Sequence, residues 1–130
     1  MSEQSLVNVS DDNRLGKVEI SPSVIEVIAG IAASEVEGLA YMRGTFASDV
    51  AERFGKTAHG KGVKVELSDS GILIDIFVAL HFGVSIPQVA QQLQTNIRQS
   101  LKNMTGLEVA EINVHVVEIQ MDQQTEKQNS

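Results

Sequence analysis

The chain has 130 residues, 42% of them hydrophobic, a formal net charge of −7 and no cysteine. That length supplies one core and not two, and the acidity disfavours nucleic acid or an anionic membrane as a ligand, because both would repel it. Disulfides, thiolate nucleophiles and Cys-ligated metal centres are excluded.

Aromatic residues are scarce, with four Phe, one Tyr and no Trp, so Val, Ile, Leu and Ala must build the core. No basic, apolar leader opens the sequence, and its longest apolar run, GILIDIFVAL, is interrupted by Asp75. A soluble cytoplasmic protein is expected, with no direct membrane insertion.

Residues 1–15 are polar apart from LVNV, and residues 122–130 contain no apolar side chain. Both are expected to be flexible tails, since neither buries enough surface to offset the entropy of ordering. A single domain is expected over 16–121. It opens with a short strand, GKVEI (16–20). Ser21 followed by Pro22 marks a helix start, serine as N-cap and proline in the first turn. Val24, Ile25, Ile28, Ile31, Ala32 and Val36 then recur at helical spacing as the core stripe, up to Gly38. Ala29, Gly30, Ala33 and Ser34 lie on a flank where another backbone could come close. TFASDVAERF (45–54) fits a second, shorter helix, with Phe46, Val50 and Phe54 on one side.

Two strands follow. Val63, Val65 and Leu67 alternate with Lys64 and Glu66, and SDSG (68–71) makes the turn. The next strand places Ile72, Ile74, Ile76, Val78, Leu80 and Phe82 toward the core. Leu73, Asp75, Phe77, Ala79 and His81 take the other face. A long helix over 86–104 carries Ile86, Val89, Ala90, Leu93, Ile97, Leu101 and Met104 as its apolar stripe and stops at Gly106. In the last strand Ala110, Ile112, Val114 and Val116 share one face and Glu111, Asn113 and His115 the other. The alternation changes phase after Val116, which predicts a bulge or a change of neighbour there. The predicted fold is α+β: strand, helix, short helix, two strands, helix, strand, in a two-layer sandwich with a mixed sheet and both long helices on one face. The strands before and after the second long helix should run parallel.

Four patterns invite a chemical reading. GVSIP (83–87) approaches the serine elbow G-x-S-x-G, but Pro87 stands where the second glycine belongs. Ser85 with Gln88 three residues on reads instead as a capping box. GKT (55–57) echoes a P-loop, yet Val50 occupies the required glycine position and no strand precedes it. A KH domain needs G-x-x-G, and no two glycines stand three apart. His59, His81 and His115 could join Asp75 in a metal or acid–base site, but no tight ligand spacing supports one. Polar residues alternating outward on an uncovered sheet give the simpler account, and Phe77 among them points to partial cover by the short helix, a tail or a second subunit.

Arg43, Arg53, Lys56, Lys61 and Lys64 against Asp49 and Glu52 give 43–64 a local net charge of +3 within an acidic chain. This stretch reads as a solvated loop or as a docking surface for an acidic partner. Together with Asp75, Phe77, Asn113 and His115 on the sheet, it forms the expected interaction surface. No catalytic, cofactor-binding or metal-ligating residue is assigned.

SEVEG (34–38), GKGVKVEL (60–67), GVSIPQVAQQLQ (83–94) and above all NMTGLEVAEINVHV (103–116) together resemble the alkaline-shock-protein family of Gram-positive bacteria, the small envelope stress response proteins, and in particular its short YqhY-type members. The likeness spans about residues 16–119. His81-Phe82-Gly83 and Gln88 depart from a more usual acidic–aromatic–Gly and Ile-Pro-Glu. The resemblance implies a non-enzymatic protein of cell-envelope homeostasis that self-associates. It implies either an influence on fatty-acid synthesis through acetyl-CoA carboxylase subunits or a scaffold held beneath the membrane by an anchored family partner. A small hydrolase or metal enzyme using Ser85 or His81 and His115 is the alternative of a different class.

Overall fold

A computed structural model describes residues 6–10, 13–42 and 62–121. The predicted helix 45–54, the residues Arg43, Arg53, Lys56, His59 and Lys61, and the tail 122–130 lie outside the described residues.

Strand β1 (Val7–Asn8) pairs antiparallel with β2 (Glu19–Ile20), joined through a 3-10 turn at Asn13–Leu15. Two sequence-based expectations change here. GKVEI contributes only its last two residues to a strand, and their partner is the LVNV stretch of the expected N-terminal tail. LVNV had an apolar reason to settle: Val7 and Ile20 both pack against the core.

Helix α1 (Pro22–Ser34) starts where the Ser21-Pro22 pair places it, but the Ser21 hydroxyl meets that of Ser23 at 2.8 Å and caps no backbone N–H. Its buried face is Ile25, Ile28, Ala29, Ala32 and Ala33, while Val24 and Ile31 are exposed. The predicted stripe was therefore rotated toward the large residues. The alanines face inward because α1 packs closely on the second long helix, and small side chains permit that approach.

Gly38 then turns the chain with φ +102°, a conformation L side chains rarely adopt. It leads into β3 (Leu39–Met42), a strand missing from the sequence-based assignment. LAYM is too short to show alternation, and its pairing is further broken by a register shift between Leu39 and Tyr41.

Strands β4 (Val63–Ser68) and β5 (Gly71–His81) form the expected antiparallel hairpin. Helix α2 (Ile86–Thr105) and β6 (Val109–Gln120) follow, and β6 runs parallel to β5 as predicted. β5 is the centre of the main sheet. β6 lies along one side of it, and β4 and β3 share the other, β4 opposite 71–76 and β3 opposite 78–80. This is the mixed α+β architecture read from the sequence.

Both helices cover the same face of this sheet, and Ile74, Ile76, Val78 and Leu80 meet Leu93, Ile97, Leu101 and Ile25 in one apolar cluster. Each of these eight side chains is fully buried. Full burial of an aliphatic side chain contributes about 1.5–3 kcal/mol, so this layer holds the domain together. The ends of the predicted stripes depart from expectation. Phe82, Ile86 and Met104 are exposed because they lie beyond the sheet's cover, and Leu67 reaches the open end of β4. In β6, Val109 is buried and Ala110 exposed: a register shift between Val109 and Glu111 moves Ala110 out of the alternation. A second shift falls between Val116 and Glu118, where the phase change predicted one.

The ends of α2 match their sequence signals. The Ser85 hydroxyl accepts from the Gln88 N–H at 3.4 Å, and Gly106 closes the helix at φ 77°.

Candidate functional site

The face of the main sheet away from the helices carries the polar residues of three strands, and the register places them in rows. Lys64, Asp75 and Asn113 lie side by side across β4, β5 and β6. Glu66, Leu73 and Glu111 form the next row toward the β4–β5 turn. In the other direction come Phe77 beside His115, then Tyr41, Ala79 and Glu118. Five of the predicted interaction residues, Lys64, Asp75, Phe77, Asn113 and His115, are thus brought together on one surface.

His115 is the hub. Its Nε2 donates to Oδ1 of Asp75 at 2.9 Å, and its ring stacks on Phe77 with centroids 4.7 Å apart and planes 16° from parallel. The parallel register sets this up: His115 is level with Phe77, so Asp75 stands two residues back on the same face, within reach of the imidazole. The cover expected over Phe77 is supplied in part by this ring. The His115 hydrogen bond holds the Asp75 carboxyl below the usual carboxylate range; the Asn113 side chain and the positive charges of His115 and Lys64 act in the same direction, against partial desolvation.

Two further residues belong to the surface and were not singled out from sequence. The Tyr41 hydroxyl donates to Oε1 of Glu118 at 2.6 Å, spanning β5 over Ala79. The neighbouring carboxylate pushes the Tyr41 hydroxyl above its ordinary pKa. Glu118 was detectable, since the phase change after Val116 moves it to the outward side. Tyr41 was not, because nothing marked β3 as a strand.

The side chains of the enzymatic alternative are not assembled. Ser85 caps α2 on the helical side of the sheet, while Asp75 and His115 are engaged with each other on the opposite face. His81, at the exposed end of β5, donates its backbone N–H to the Gly38 carbonyl. Among the described residues, no group of three His, Cys, Asp or Glu side chains is placed to hold a metal ion.

On the helical side, a groove of about 640 Å³ runs between α2 and β6. Several of its polar side chains are already bonded. Gln94 donates to the Ile112 carbonyl at 3.0 Å and Arg98 to the Val109 carbonyl at 2.6 Å, while Lys102 pairs with Glu108. A second groove of about 980 Å³ lies between the end of α1 and α2, where Asn96 donates to the Ala32 carbonyl at 2.7 Å. No helix among the described residues is long and apolar enough to cross a membrane.

The described residues form a small α+β domain with a polar, internally bonded sheet face. The chain matches the alkaline shock protein 23 family, described by a cell envelope-related function, over residues 10–121, and it is a member of that family. It is 62% identical over 123 residues to the protein YqhY of Bacillus subtilis, covering 94% of this chain and 91% of that one. A protein of Streptococcus pyogenes, Spy1535, is 34% identical over 103 residues, 78% of each chain. Stress response regulator gls24 homologs of the same species are 28% identical over 130 residues, covering 97% of this chain and 73% of theirs. Neither the family description nor these names denote an enzymatic activity. No solved structure matches the chain.

Proposed function

We propose that this protein acts in cell-envelope homeostasis without catalysing a reaction, through contacts with other proteins, and that acetyl-CoA carboxylase subunits are among them, so that it influences fatty-acid synthesis. The observation that carries the envelope role is the family match over residues 10–121. The stress response regulators among its relatives point the same way. For action by contact, the support is the sheet face, where Asp75, His115, Phe77, Tyr41 and Glu118 bond to one another across strands and present a fixed polar surface.

A second reading, a self-assembling scaffold brought beneath the membrane by an anchored partner, draws on the edge of the main sheet along β6. Its partner on one side is β5, and beyond the reach of α2 the other side pairs with no strand among the described residues.

Affinity capture from bacterial cells with lightly crosslinked full-length bait tests the first reading. Carboxylase subunits are expected with the wild-type chain. Recovery should fall when Arg53→Glu, Lys56→Glu and Lys61→Glu reverse the basic stretch and circular dichroism is unchanged. Carboxylase recovery no higher than from bait-free resin refutes the carboxylase link.

A further inference from the structure

We infer that the C-terminal half of β6 is a pairing edge for a second copy of this chain, two β6 strands running antiparallel about a two-fold axis at the Val117 bulge. The inference rests on the reading of the protein as an interaction module and does not depend on the carboxylase.

The direction of the backbone groups follows from two contacts. The Ile112 carbonyl points away from β5, where Gln94 reaches it, and the Gln120 carbonyl points toward β5, where it accepts from Phe82. Backbone groups alternate in direction along a strand. With the register shift at Val117 included, the outward groups are those of Val114, Val116 and Ile119. Helix α2 guards the edge at Val109 and Ile112 and no further. Past that point the edge pairs with nothing among the described residues, and an open edge is a template for another strand. Val117, Ile119 and Met121 are exposed beside it, joined by Phe82.

The segment is also complementary to itself. Setting the bulge pair Val116–Val117 opposite its own copy brings Val114 level with the second copy's Ile119, and His115 level with the second copy's Glu118. Both residues of the first pair have outward backbone groups and side chains on the helical face. Both of the second have side chains on the polar face. Apolar thus meets apolar, and a titratable base meets a carboxylate. One two-fold axis satisfies every pair, which is the condition for a closed isologous dimer. It also brings the two bulges together, so that each twisted edge faces one twisted alike.

The absence of cysteine supplies the test. Residues opposite each other across paired strands lie within disulfide reach. Val117→Cys should therefore crosslink to itself under mild oxidant, much faster than Leu67→Cys on β4. In sedimentation equilibrium the full chain should associate at or below about 100 µM, and Val117→Lys should weaken association by at least about tenfold with an unchanged circular dichroism spectrum. A chain that stays monomeric at that concentration overturns the inference. So does association undiminished in Val117→Lys, or crosslinking of Val117→Cys no faster than of Leu67→Cys. Carboxylase capture by Val117→Lys bait separates the two readings, since loss of pairing with capture retained leaves the proposed function standing.

Discussion

Replacing Gly38 by alanine should destabilise the domain by an amount that divides into two parts. The first is backbone strain. At φ +102° an alanine carries a penalty of about 1–2 kcal/mol that glycine escapes. The second is steric. A Cβ at Gly38 would stand 2.8 Å from Cγ2 of Val89 and 3.6 Å from Cγ1 of Val84. Val89 is buried and β-branched, so it has little rotamer freedom with which to retreat, and overpacking of this kind costs about 1–3 kcal/mol. Gly38→Ala is therefore expected to cost about 2–5 kcal/mol, the sum of those ranges.

Val89→Ala removes the obstructing methyls at a cost of about 1–3 kcal/mol for the lost burial and the cavity. In the double variant the clash is gone, and the combined loss should fall short of the sum of the singles by about 1–3 kcal/mol. Urea unfolding followed by circular dichroism measures all four corners of the cycle, with midpoint shifts at constant slope. A Gly38→Ala loss under about 0.5 kcal/mol refutes both parts; additivity within about 0.3–0.5 kcal/mol refutes the steric part alone.

Ser85→Ala tests whether that hydroxyl is a helix cap. The bond to Gln88 is long at 3.4 Å, so the loss should sit at the low end of the capping range, about 0.5–1 kcal/mol; a loss above about 2 kcal/mol would mean that the hydroxyl has other work. Asp75→Asn tests the His115 contact through its pH dependence. The folded-state pKa of Asp75 is depressed, so its contribution is present above the unfolded value of about 3.9 and is lost as pH falls through the folded one. Melting temperature between about pH 2 and pH 5 should fall less steeply with acid in Asp75→Asn than in the wild type. Parallel curves would remove Asp75 from the acid response.

Those features whose cause is local were legible in the sequence. The α2 cap, its glycine stop and its Leu93, Ile97 and Leu101 stripe need only neighbours within one helix, and each is present. The same holds for the alternation of β5 and for the second irregularity in β6, where the apolar phase itself slips. What failed depended on partners distant in sequence. The buried face of α1 is selected by the approach of α2, which favours Ala29 and Ala33 over Val24 and Ile31. β3 exists because β5 has an unpaired stretch at 78–80 for it to join, information absent from LAYM. β1 exists because Ile20 and the core offer Val7 a place. For the surface, face membership of Asp75, Phe77, Asn113 and His115 followed from parity. The hydrogen bond and ring stacking that unite them required the parallel register.

The same register limits where contact with other molecules can occur. The inner face of the sheet is filled by two helices, and the polar residues of α2 nearest to it are occupied with backbone: Gln94 and Arg98 on β6, Asn96 on α1. A ligand that recruited Gln94 or Arg98 in the α2–β6 groove would leave the carbonyl it now bonds unsatisfied, at a cost of about 1–3 kcal/mol each. The outward face imposes no such penalty. Its side chains bond to one another, not to buried backbone, and His115 and Glu118 are already wet. A molecule can therefore lie on that face without breaking a bond to buried backbone.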